Sequence, residues 1–108
     1  MTEDAEQQFL GLSARDQRAL QAAILARLRH QPTTLTRAVR RLRPNPVAEY
    51  ELRAGDLRVL YDVEGEEVII SVVGRKVGNR LIVAGEEFRG HQDRVPESSG
   101  NGSDGSAD

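Results

Sequence analysis

Apolar and polar positions along the chain change their period at Pro46. In SARDQRALQAAILARLRHQ, Leu20, Ile24 and Leu28 recur every fourth residue with Ala19 and Ala23 beside them, the stripe of a helix with one buried side. Ser13 followed by Asp16 resembles a capping box, with aspartate in place of glutamate. Pro32 predicts the end of this helix near Gln31. Before it, residues 3–12 read as a shorter helix with Phe9, Leu10 and Leu12 on its apolar side, so a helical hairpin turns at residues 11–13. Residues 33–46 form a basic connector whose Pro44-Asn45-Pro46 cannot continue a helix; residues 36–42 fit either one helical turn or an extended run. After Pro46 the period is two. AEYELR, LRVLYDV and EVIISVVG read as three strands separated by Ala54-Gly55-Asp56 and Glu64-Gly65-Glu66. Such short turns predict an antiparallel meander, with the third strand central and covered by the helices because it is apolar on both faces. Gly74 and Gly78 interrupt that strand, and residues 81–84 fit a brief further one. The fold class expected is α+β, an N-terminal helical hairpin packed on a small antiparallel sheet.

Alternation also restricts the register. A three-residue turn at 54–56 would set Leu52 opposite Arg58 and bury a charge. A pairing shifted by one residue keeps Leu52 with the apolar set and gathers Glu51, Arg53 and Arg58 on the other face. The shifted pairing is the expectation. It predicts a solvent-facing surface carrying Glu49, Glu51, Arg53 and Arg58 beside Arg75-Lys76. Read plainly, that is a charged outer face stitched by cross-strand pairs.

Composition adds bounds. The chain has 108 residues, enough for one domain, expected over residues 1–90, with residues 91–108 (glycine-rich and polar from Pro96) as a disordered tail. Without cysteine there is no disulfide scaffold, thiolate metal site or cysteine nucleophile. No stretch reaches the roughly 18 apolar residues of a membrane helix, and the start MTEDAEQQ lacks a secretory pattern. A cytoplasmic protein with no membrane partner is expected.

The net charge of −2 hides segregation. Residues 17–61 hold nine arginines against Glu49, Glu51 and Asp56, a balance of +6. Arg75, Lys76 and Arg80 follow, while the acidic residues gather at the N-terminus, in 62–67 and in the tail. A local basic stripe is the electrostatic footprint of a phosphate-bearing partner. An arginine-rich codon usage would produce the same count.

The run Tyr50-Glu-Leu-Arg-Ala-Gly-Asp-Leu-Arg-Val-Leu-Tyr61, the apolar strand after it and its end Val73-Gly74-Arg75-Lys76 resemble the RelE/ParE superfamily of bacterial toxin–antitoxin toxins. RPNPVAEYELR is similar to the start of the sheet in one subgroup. The resemblance covers roughly residues 5–85. It implies a toxin paired with a cognate antitoxin, and in the superfamily's enzymes a ribosome-dependent endoribonuclease that cleaves messenger RNA with no metal or other cofactor. There the 2′-hydroxyl attacks the adjacent phosphate, which requires a base, cations on the phosphorane and a leaving-group acid. By resemblance Arg58 falls on the phosphate-contacting arginine, and Lys76, or else Arg75, on the second cation. Arginine cannot act as a base near neutral pH, so Glu51 or Glu49 becomes the candidate base. Arg53, Arg75, Arg80, Arg37, Arg40, Arg41 and Arg43 would hold the RNA backbone.

The departures from the pattern point to two other readings. Glutamates stand where one branch has lysines, Ile82 or Val83 stands where a late aromatic completes many sites, and His91 is the remaining candidate acid. One alternative is a non-enzymatic toxin, as in the branch that inhibits DNA gyrase by binding it. The other is a degenerate antitoxin-binding module. The superfamily's strand before the first helix is expected to be missing, which would leave a sheet edge open.

Overall fold

The computed structural model describes residues 1–89; His91 and the expected tail lie outside the described residues. The helical hairpin is α1 (Glu3–Leu10) and α2 (Ala14–Leu28). Thr2 caps α1, its hydroxyl accepting from the Ala5 N–H at 3.2 Å, and Glu3, Asp4 and Glu6 place negative charge at the positive end of the helix. Ser13 caps α2 by accepting from the Asp16 N–H at 3.1 Å, as the spacing predicts. Gln17 reaches back from α2 and donates to the carbonyls of Leu10 and Leu12 at 3.3 and 3.0 Å, satisfying oxygens that the end of α1 leaves open. α2 stops at Leu28, three residues before the predicted end. Pro32 would collide with the Leu28 carbonyl and has no N–H to offer it.

Six strands follow: β1 (Val39–Arg41), β2 (Tyr50–Ala54), β3 (Leu57–Glu64), β4 (Glu67–Val77), β5 (Arg80–Val83) and β6 (Glu86–Phe88). They form one antiparallel sheet in chain order. The connector that fits a helical turn or an extended run is extended, and β6 is a strand that the alternation does not announce. The first described element is α1; just ahead of it, the Thr2 N–H donates to the Ile70 carbonyl of β4 at 2.8 Å. Among the described residues no helix is long and apolar enough to cross a membrane.

The register is the shifted one. A two-residue turn at Gly55 and Asp56 sets Leu52 opposite Val59 and Arg53 opposite Arg58. Leu52 and Val59 are fully buried under the helices with Leu20, Phe9, Val39, Tyr61 and Val73. Full burial of one such aliphatic side chain contributes about 1.5–3 kcal/mol. Tyr61, stacked on Tyr50 with ring centroids 5.5 Å apart, donates its hydroxyl proton to the Pro32 carbonyl at 2.5 Å and so anchors the connector to β3.

The opposite face carries a second apolar cluster, which overturns the expectation of an open outer surface. Leu42, Ala48, Leu60, Val72, Leu81 and Val83 pack together there, with Val47 and Phe88 against them. Two elements build this cover. One is the loop after β1, folded on Asn45, whose side-chain oxygen accepts from the N–H groups of Val47 and Ala48 at 2.8 and 3.1 Å. The other is the β5–β6 hairpin. Covered on both sides, β3 is buried from Leu57 to Tyr61, and the doubly buried stretch therefore includes Arg58.

Candidate functional site

The charged residues singled out in the sequence fall into three separate settings. At the first, on the outer face, β1, β2 and β3 bring Arg40, Glu51, Arg53 and Arg58 together. Arg40 stands opposite Glu51 and Arg53 opposite Arg58. The Glu51 carboxylate accepts from Arg40 Nε at 3.0 Å and Arg53 Nε at 3.3 Å, and its side chain is 8% exposed. Arg58 is only 9% exposed. Its Nη1 donates to the carbonyls of Gly55 and Leu57 at 2.7 and 2.8 Å, while its buried Nε has no partner among the described residues. Burial pulls the Arg58 pKa below its ordinary value, and the nearby Glu51 charge offsets part of that displacement. This corrects the picture of a solvent-facing guanidinium. The alternation places Arg58 on the outer face, but that face is roofed by remote parts of the chain.

The second setting lies on the helix side. Arg75 stands opposite Leu57, whose side chain belongs to the helix-covered core, so Arg75 and Arg58 point to opposite faces of the sheet. Arg75 bonds Asp56 at 2.6 Å and also Asp16 of α2, joining the β2–β3 turn to the helical hairpin. Hydrogen bonds to Asp56 and Asp16 raise its pKa further above its ordinary value. The expectation of Arg75 beside Arg58 is corrected accordingly. Lys76 is exposed and lies on the Arg58 face, two residues beyond Gly74 on β4.

The third setting is the rim of the sheet, where Arg37, Arg41, Arg43 and Arg80 are exposed. Glu49 lies before β2 and bonds Arg41 at 2.5 Å rather than the arginines that hold Glu51. Its N–H donates to Asp62 at 2.8 Å. A cleft of about 340 Å³ that sequence reasoning missed runs between the helical turn and β4–β5; Leu12, Asp16, Val73 and Ile82 are among its lining residues. No local signal marks it, because its two walls are more than fifty residues apart in the chain. Among the described residues no three His, Asp or Glu side chains converge as metal ligands.

The family model for the ParE toxin of type II toxin–antitoxin systems matches residues 1–77. The chain belongs to that family. The match runs from the helical hairpin to the end of β4, and the β5–β6 hairpin that helps to cover Arg58 lies past it. No curated protein and no solved structure matches the chain. Membership gives this ParE-family chain the general role of the toxin in a toxin–antitoxin module.

Proposed function

We propose that this toxin acts by binding a macromolecular target, DNA gyrase being the target implied by the non-enzymatic branch of the superfamily, and that a cognate antitoxin restrains it. The observation that carries this reading is the burial of Arg58 on backbone carbonyls. Cleavage by a 2′-hydroxyl needs a cation within hydrogen-bond reach of the phosphorane and a carboxylate free to take a proton. Arg58 has its Nη1 turned to Gly55 and Leu57. Glu51 is engaged by Arg40 and Arg53, and Glu49 by Arg41. Arg75, one candidate second cation, faces the helices. The ribonuclease reading keeps one point of support: exposed Lys76 shares the face of Arg58, so an outward swing of that arginine would place two cations together.

Purified protein tests the choice in two parallel assays. Inhibition of gyrase supercoiling, with ribosome-bound message left intact, is the expected result. Site-specific cleavage of that message, with supercoiling unaffected, would overturn the binding reading in favour of the endoribonuclease.

A further inference from the structure

Two guanidinium groups on the outer face share one carboxylate, and a third stands beside them on backbone carbonyls. Arg40 and Arg53 both donate to the same oxygen of Glu51, and Arg58 stands directly across the ladder from Arg53 with a buried Nε–H that nothing among the described residues accepts. The Arg40 side chain remains 55% exposed and that of Arg53 35%, so the cluster opens to solvent on the β1 side. Exposed Arg37 and Arg43 lie just before and just after β1, while Arg41 is held by Glu49 at 2.5 Å. Carboxylate and phosphate oxygens satisfy the same arginine fork. An incoming phosphate could take the Nε–H groups of Arg40 and Arg53 only by displacing the Glu51 carboxylate that already holds them.

We propose that Arg40 and Arg53 form an oxyanion site, with Arg58 beside it, whose occupant is the chain's own Glu51, and that this internal carboxylate keeps the outer face from binding a nucleic-acid backbone. The inference rests on the binding reading of the toxin, in which this face has no RNA to cleave. Glu51 then has the opposite part to a general base: it neutralises the arginines that would otherwise collect phosphates. A nucleic acid is the favoured displaced ligand because exposed Arg37 and Arg43 flank the β1 strand that carries Arg40, and a chain of phosphates can meet several such cations at once.

The test is fluorescence anisotropy with a labelled single-stranded RNA, at low and moderate salt, on the full chain. Glu51→Gln keeps the shape and removes the charge. It should tighten RNA binding about tenfold at low salt and steepen the salt dependence by about one phosphate contact. Adding Arg53→Gln to it should reverse most of that gain. Should Glu51→Gln fail to give a cooperative thermal transition, Glu51→Asp, which withdraws the carboxylate by one methylene, should still give a smaller gain. In the wild type, the Nε–H resonances of Arg40 and Arg53 should stay unperturbed by RNA. Wild-type affinity in the Gln and Asp variants, or perturbation of those resonances, overturns the proposal. So does a gain for polyglutamate without one for RNA. Cleavage of ribosome-bound message by the wild type would instead sink the binding reading and leave the anisotropy comparison standing.

Discussion

Arg58 and Gly74 face one another across the β3–β4 ladder, and the missing side chain at position 74 is what lets β5 close over that part of the sheet. A Cβ on Gly74 would lie 2.7 Å from the Ile82 carbonyl and 2.8 Å from Val83 Cγ2. Backbone on one side and a packed side chain on the other leave it no room. Gly74→Ala should therefore destabilise the protein by about 1–3 kcal/mol, as overpacked sites do. Urea denaturation would register this as a lower midpoint with an unchanged slope.

Arg58 itself should be dispensable for toxicity. Its Nη1 serves the Gly55 carbonyl in the turn and the buried Leu57 carbonyl at the start of β3, and among the described residues its Nε serves nothing. Arg58→Met preserves most of the side-chain volume, and the Glu51 carboxylate keeps Arg40 and Arg53. A loss of about 1–3 kcal/mol is expected from the Leu57 carbonyl left without this donor, with growth arrest on induced expression retained. Loss of arrest in a variant that still folds at the assay temperature would mean that this guanidinium acts at the target.

Tyr61 gives the fold a pH dependence at the alkaline end. Burial, with a smaller contribution from Tyr50, pushes its phenol up to about 12. An unfolded tyrosine ionises near pH 10, so the stabilisation is intact below about pH 10 and is lost as pH rises toward about pH 12, roughly 2–3 kcal/mol in all. Tyr61→Phe should flatten that decline and, near neutral pH, cost about 1 kcal/mol through loss of the bond to the Pro32 carbonyl. Denaturant midpoints measured from pH 8 upward, with pH 8 chosen as roughly two units below the unfolded phenol, would check both parts.

Gln8 caps a strand that, among the described residues, lacks a neighbouring strand along much of one side. β5 pairs only with Arg75, Lys76 and Val77 of β4, and the N–H of buried Val73 is satisfied by the Gln8 side chain at 2.8 Å. Thr2 makes the companion bond to Ile70, so α1 blunts this edge at two points. Gln8→Ala should leave a buried donor unpaired at a cost of about 1–3 kcal/mol. Hydrogen exchange at the Val73 amide, faster than in the wild type by more than the global loss of stability explains, is the diagnostic readout.

Local periodicity and capping chemistry, by themselves, determined the two helices, the three long strands and the pairing that spares Leu52 from facing Arg58. Each of these depends on neighbours within a few residues or on the rule that one face of a strand must stay apolar. The end of α2 was also implicit in Pro32, through a clash four residues back that a boundary placed near Gln31 overlooked. Tertiary structure alone decided whether the charged face was open. Glu51, Arg53 and Arg58 alternate as solvent-facing residues do, yet the 42–48 loop and the β5–β6 hairpin arrive from both sides in sequence to roof Glu51 and Arg58. The side of the sheet taken by Arg75 was likewise set by the ladder with β3 and by Asp16 on α2. Burial is a property of what the rest of the chain brings overhead, and no pattern within a single strand encodes it.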